Sequence, residues 1–218
     1  MELKIDEALR YLGAAVAPDE LRRQVESVGK DLTALCRPRW HYKVFDLEKT
    51  AESIRLPEAG LTLPGRSAAL MLEECEQAVL LACTLGAQCD GMLRTEQARN
   101  MARAVILDAC ASAWVEAGCD EAEQELSVRL SGKHLTDRFS PGYGDLPLSV
   151  QPGLCRALDT PRRLGLYVTD SLLLNPTKSV TAVIGIADRP QRRRIRGCAY
   201  CSMNQTCALR KGGNTCAL

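Results

Sequence analysis

The sequence predicts an α+β fold, and three observations carry that reading. Helical patterns come mainly before two strand-like runs, "LGLYVTDSLLL" and "KSVTAVIGIA". No regular strand–helix alternation appears, as a doubly wound parallel sheet would require. The short turn "NPT" between the two runs suits an antiparallel pair. The folded domain is expected over residues 1–187, followed by a basic linker and a Cys-rich tail over 188–218.

Each element follows from local pattern. Pro18 and Asp19 open a helix in which Leu21, Val25, Val28, Leu32 and Leu35 repeat every three or four residues, forming one apolar stripe. "RPRW" stops it. "WHYKVFDL" alternates briefly, and "ESIRLPEAGLTLPG" continues as extended pieces punctuated by Pro57, Gly60 and Pro64, which reads as edge strands or arms. "RSAALMLEEC" suits a short helix, whereas "EQAVLLACTLG" is a compact apolar run of the kind a buried strand shows. Residues 88–117 read as one helix, rich in Ala, Ser and Cys toward its end and terminated by Gly118. A second, short helix is expected in "DEAEQELSVRL", and the two strand-like runs then pair with each other.

Composition narrows the function. The 218 residues carry a formal charge of +1, so no bulk attraction to nucleic acid follows, and aromatic residues at 4 % leave few stacking platforms for single strands. The start "MELKIDEALRYLG" lacks the basic end and apolar stretch of a secretory signal. No apolar run approaches the ~18 residues of a membrane span. A cytoplasmic protein without membrane contact is expected. Eleven Cys in a reducing compartment are not a disulfide framework, and the seven before residue 160 sit among aliphatic neighbours as small core residues.

Common catalytic signatures are absent: no phosphate-binding Walker loop, dinucleotide fingerprint, HExxH or GxSxG occurs, and His41 and His134 are the only imidazoles. The stretch "TDRFSPGYGDLPLSVQP" stands out. Gly142 and Gly144 flank Tyr143 among Pro141, Pro147 and Pro152, which makes a defined irregular loop able to lie close to a ligand. Arg138 offers a fixed cation for a carboxylate, and Tyr143 an apolar face with a hydroxyl. The loop suits a ligand with a carboxylate and an aromatic ring, or is a structural turn between helix and strand.

"RFSPGYGDLP" resembles the S-adenosylmethionine-binding signature of the reactivation (activation) domain of cobalamin-dependent methionine synthase. "AVILDACASAWVE" is similar to the long helix before that signature, and "NPTKSVTAVIGIA" to the turn and strand after it, with Pro176, Ser179 and Val180 at matching places. The similarity spans roughly residues 75–187 and is weak over 1–70. It implies a curved antiparallel sheet with flanking helices. Arg138 would pair with the methionyl carboxylate, Gly142 and Tyr143 would shape the loop beside the ligand, and Ser140 would supply backbone contacts. The implied activity is methionine synthase reactivation: reductive methylation of cob(II)alamin using one electron and the methyl group of S-adenosylmethionine. Cobalamin would sit on a separate corrinoid protein or methyltransferase, and flavodoxin or ferredoxin could supply the electron. The chain would then be a stand-alone reactivation component or one subunit of a split methionine synthase. Where that family carries aromatic residues beside the ligand, this chain has Val183 and Ile184. Asp108, a charge within an apolar helix, is either turned to the ligand or a half-exposed structural residue.

The end of the chain shifts in composition. Arg189, Arg192, Arg193, Arg194 and Arg196 form either a solvated linker or a docking surface for an acidic partner or a phosphate-bearing ligand. Cys198 and Cys201 then form a CxxC, followed by Cys207 and Cys216. Four thiolates in this spacing form a metal site, for zinc or an iron–sulfur cluster of the 4Fe-4S type, and the spacing does not choose between them. A redox dithiol or an unstructured Cys-rich end are the other readings. Two further function classes stand beside reactivation: an accessory subunit that binds S-adenosylmethionine or metal without turnover, and an electron-transfer protein whose loop at 138–147 is structural.

Overall fold

The computed structural model describes residues 1–14, 16–50 and 53–191. In chain order its helices are α1 (Ile5–Tyr11), α2 (Asp19–Leu35), α3 (Arg66–Met71), α4 (Ala87–Arg99), α5 (Met101–Arg129), α6 (Gln151–Leu158) and α7 (Thr160–Leu164). The strands are β1 (Arg39–Asp46), β2 (Glu48–Lys49), β3 (Ser53–Leu56), β4 (Leu61–Pro64), β5 (Gln77–Thr84), β6 (His134–Leu135), β7 (Tyr167–Val168), β8 (Leu174–Asn175) and β9 (Ser179–Ala187). They form a four-stranded sheet in the order β1-β5-β9-β6, a three-stranded sheet β2-β3-β4 and the pair β7-β8. The mixture of helices and antiparallel strands is the α+β class expected. No described helix is long and apolar enough to cross a membrane.

Contacts divide the chain into two compact units. One comprises residues 1–41, 83–124 and 160–180; the other comprises residues 42–82, 125–159 and the described residues from 181.

In the first unit, α2 buries Val25, Val28 and Leu32, as its stripe predicts, while Leu35 at the last turn is exposed. The carbonyl of Cys36, which ends α2, accepts a hydrogen bond from Trp114 Nε1 at 2.7 Å. That bond satisfies a helix-end acceptor inside the core. Two expectations about the long helical stretch are corrected here. It breaks at Asn100, whose extended backbone ends α4 and whose side-chain oxygen accepts from the Arg103 N–H at 3.1 Å, an N-cap for α5. Gly118 does not end the helix, because α5 continues to Arg129 and absorbs the expected second helix. A Cβ at Gly118 would lie 2.4 Å from Pro38 Cβ and 3.0 Å from Cys83 Sγ. Its glycine therefore serves close packing rather than termination.

The two strand-like runs do not pair with each other either. The first folds back on itself, with Tyr167 opposite Asn175 and Val168 opposite Leu174. The Thr169 N–H donates to the Leu173 carbonyl at 2.8 Å, the Leu173 N–H donates to Thr169 Oγ1 at 3.1 Å, and Leu172 turns through φ +64°. Side-chain bonding of Thr169 to the backbone competes with extension and makes the turn.

In the second unit, β3 and β4 form a hairpin with Leu56 opposite Leu61 and Ile54 opposite Leu63, all four buried. Strand β6 runs antiparallel to β9 through His134 opposite Ala187 and Leu135 opposite Ile186. From Ala182 through Ile184 β9 has no exposed surface, and Thr181, also buried, donates its hydroxyl to Gln151 Oε1 at 3.0 Å. A strand covered on both faces reads as a continuous apolar run, which is how "TAVIGIA" looked in sequence.

Candidate functional site

The loop after β6 is held to β9 before it turns away. Thr136 N–H donates to the Gly185 carbonyl at 2.9 Å, and the Gly185 N–H donates to Thr136 Oγ1 at 2.8 Å. Phe139 and Val183 exchange both backbone hydrogen bonds, at 3.1 and 2.8 Å, with Phe139 buried. Strand alternation places Arg138 and Ser140, both half-buried, on the face opposite Phe139.

Beyond Ser140 the chain closes a tight loop. Tyr143 N–H donates to the Ser140 carbonyl at 3.1 Å, Gly142 N–H to the Leu146 carbonyl at 2.8 Å, and Leu146 N–H to the Tyr143 carbonyl at 3.0 Å. Gly142 at φ +95° and Gly144 at φ +55° take backbone conformations that other residues rarely adopt. Tyr143 is left 66 % exposed at the loop's tip.

Asp145 fixes the far end of this loop. Its carboxylate accepts from the Arg66 N–H at 2.7 Å and the Ser67 N–H at 2.9 Å, satisfying the first donors of α3. Burial pushes the carboxyl up, but hydrogen bonds from the Ser67 hydroxyl and these two amides outweigh it and hold the carboxyl below its usual range. A Cβ at Gly144 would fall 2.5 Å from Ser67 Oγ, and one at Gly65 would fall 2.7 Å from Asp145 Oδ1. Asp145 was not singled out by sequence reasoning, since a cap supplied from 79 positions away leaves no local signal.

Arg138, Ser140, Gly142 and Tyr143 thus share one braced loop. Val183 and Ile184 are fully buried in β9. In the other unit the "NPTKSV" turn is also braced. Asp90, 8 % exposed, accepts from the Thr177 N–H at 3.0 Å and the Thr177 hydroxyl at 2.8 Å. Ser179 Oγ lies 2.7 Å from both Thr84 Oγ1 and the Pro176 carbonyl. Asp108 is exposed and pairs at 2.8 Å with Lys178, whose ammonium also donates to Ser112 Oγ at 2.9 Å.

Neither of two surface clefts is lined by residues of the loop 138–147. One, of about 180 Å³, is lined by Val28, Asp31, Met92, Glu96, Arg103 and Leu107. The other, of about 270 Å³, is polar and lined by Asp46, Glu74, Glu76, Lys133 and Asp188. Lys133 and Asp188 form an ion pair there, and Arg189 pairs with Glu74 at 2.9 Å.

All seven Cys before residue 160 are buried thiols that form no disulfide, as their aliphatic neighbours predict. Arg192, Arg193, Arg194 and Arg196, and the tail set Cys198, Cys201, Cys207 and Cys216, lie outside the described residues. Among the described residues no group of three His, Cys, Asp or Glu is placed to hold a metal ion.

No family model matches this sequence, and no curated protein does. Among solved structures, the crystal structure of the MetH reactivation domain bound to AdoHcy is similar, with a TM-score of 0.61 and 16 % identity. The similarity covers 84 % of this chain and 70 % of that one. At this identity the likeness is one of fold, and the chain has the reactivation-domain fold.

Proposed function

We propose that this protein binds S-adenosylmethionine at the loop 138–147 and serves in the reductive reactivation of a corrinoid protein. The observation that carries the reading is the loop itself: anchored to β9 through Phe139 and to α3 through Asp145, it holds Arg138, Ser140 and Tyr143 in one fixed frame. The reactivation-domain fold supports it, because the similar domain was crystallised with AdoHcy, the demethylated product of the same cofactor. In this reading Arg138 takes the methionyl carboxylate in a forked contact and Tyr143 lies against the ligand. Ser140 and Gly142 let the backbone approach the ligand closely.

The chemistry asks little of side chains. One external electron reduces cob(II)alamin on the partner, the cobalt then attacks the sulfonium methyl, and the C–S bond breaks with its electron pair left on S-adenosylhomocysteine. The protein's share is to hold the sulfonium in line and exclude water. Flavodoxin or ferredoxin is the proposed donor, the cytoplasm the proposed compartment, and Cys198, Cys201, Cys207 and Cys216 a proposed four-sulfur site for a 4Fe-4S cluster or zinc.

Calorimetric titration with S-adenosylmethionine and S-adenosylhomocysteine tests the site, and transfer of labelled methyl to a corrinoid protein under a low-potential reductant tests the activity. Binding together with transfer is expected. Binding without transfer to any corrinoid protein would make the chain a non-catalytic accessory subunit. Absence of binding would overturn the site and favour an electron-transfer role.

A further inference from the structure

Two of the buried cysteines before residue 160, Cys36 and Cys89, stand beside a methionine. Cys83 Sγ points to the Val115 carbonyl and Cys110 Sγ to the Val25 carbonyl, each at 3.7 Å. Cys36 Sγ instead lies 3.5 Å from Met92 Sδ, and the Cys36 thiol acts electrostatically on the Cys89 thiol. Cys89 and Met92 stand one turn apart on α4, so they share a face. Cys36, at the end of α2, completes a cluster of three sulfurs, and its backbone is pinned by the Trp114 bond to its carbonyl.

We propose that Cys36, Cys89 and Met92 form a binding site for one soft monovalent cation, with Cu(I) as its representative. Two thiolates and a thioether are the donor set that thiophilic ions select, and hard ions such as magnesium or calcium have no oxygen ligand there. Of the three, Met92 reaches the surface cleft of about 180 Å³ in the same unit and is part of its lining. Around that cleft Arg103 pairs with Asp31 at 2.6 Å and faces Glu96 at 3.6 Å.

Binding replaces two S–H bonds by two metal–sulfur bonds and releases two protons to solvent, with no change of oxidation state. Two thiolates around one monovalent ion leave a net negative charge, which the Asp90 carboxylate opposes and the Lys178 ammonium favours. Burial pushes the Cys89 thiol up to about 12 and Cys36 upward as well, so the empty site is a neutral thiol pair compatible with the core.

The test uses the full chain with Cys198→Ser, Cys201→Ser, Cys207→Ser and Cys216→Ser together, which removes the competing thiols of the tail. Cu(I) is titrated anaerobically against a chromogenic chelator, and the loaded protein is examined by X-ray absorption. One retained equivalent in a sulfur-only shell is expected. Cys36→Ala with Cys89→Ala should abolish retention, and Met92→Leu should weaken it at least tenfold. Met92→Leu conserves volume, so it remains decisive if the cysteine variants fail to fold. No retained equivalent, a shell containing nitrogen or oxygen, or undiminished affinity in folded Met92→Leu would overturn the proposal.

Discussion

Asp145 caps Ser67 across the chain, its carboxylate accepting the Ser67 N–H at 2.9 Å and the preceding Arg66 N–H at 2.7 Å. Asp145→Ala removes the acceptor for both amides and should destabilise the protein by about 1 kcal/mol at neutral pH, the usual worth of a helix cap. The folded-state pKa of Asp145 is depressed, so its contribution is present above the ordinary carboxylate pKa and is lost as pH falls through the folded value. Urea unfolding of wild type and variant should therefore show a gap at neutral pH that closes in acid. A gap unchanged down to strongly acid pH would contradict the assignment.

Gly118 packs inside α5 against Pro38 and Cys83. Gly118→Ala gains about 1 kcal/mol of helix propensity. The added methyl nevertheless meets Pro38 Cβ at 2.4 Å, and overpacking of this kind costs about 1–3 kcal/mol. A lowered melting temperature is expected. A raised one would mean that the helix moves away from Pro38 at little cost.

Buried Asp90 accepts two hydrogen bonds from exposed Thr177, and loss of the two partners should be asymmetric. Asp90→Ala leaves both Thr177 donors without this acceptor and should cost about 1–3 kcal/mol. Thr177→Ala keeps the backbone N–H bond and should cost less. In a double-mutant cycle the two changes should be clearly non-additive, whereas additivity would show that the pair is uncoupled.

Arg138 is proposed to grip a carboxylate by its fork. Arg138→Ala should weaken S-adenosylmethionine binding at least about tenfold, equivalent to ~1.4 kcal/mol. Arg138→Lys keeps the charge without the fork and should fall between the two. Calorimetry on variants with wild-type circular dichroism reads this directly, and equal affinity in all three would remove Arg138 from the site.

The tail set is proposed to hold metal through four thiolates. Protein purified anaerobically should carry either stoichiometric zinc or matching iron and sulfide, and Cys198→Ser with Cys201→Ser should lose it. Metal content unaffected by these changes would place any bound ion elsewhere.

Much of the fold was legible because it is written in local periodicity. Val25, Val28 and Leu32 mark the buried face of α2, the compact apolar run at Gln77–Thr84 marks a buried strand, and Ser179–Ala187 was strand-like in sequence. The loop at 138–147 was legible too, because Gly and Pro punctuate it. The misread elements share a cause. Asn100, Gly118 and Thr169 each admit two local roles, and a partner or backbone bond selects the one adopted.

By itself the sequence determined the α+β class, the main helices, the buried strands and the position of the loop, since each depends on spacing between near neighbours. Only the tertiary structure decided that Gly118 lies within a helix rather than ending it and that Asp145 braces α3. It alone brought Cys36, Cys89 and Met92 together. Close approach between residues distant in the chain depends on how whole elements pack, and no window of neighbouring residues encodes it.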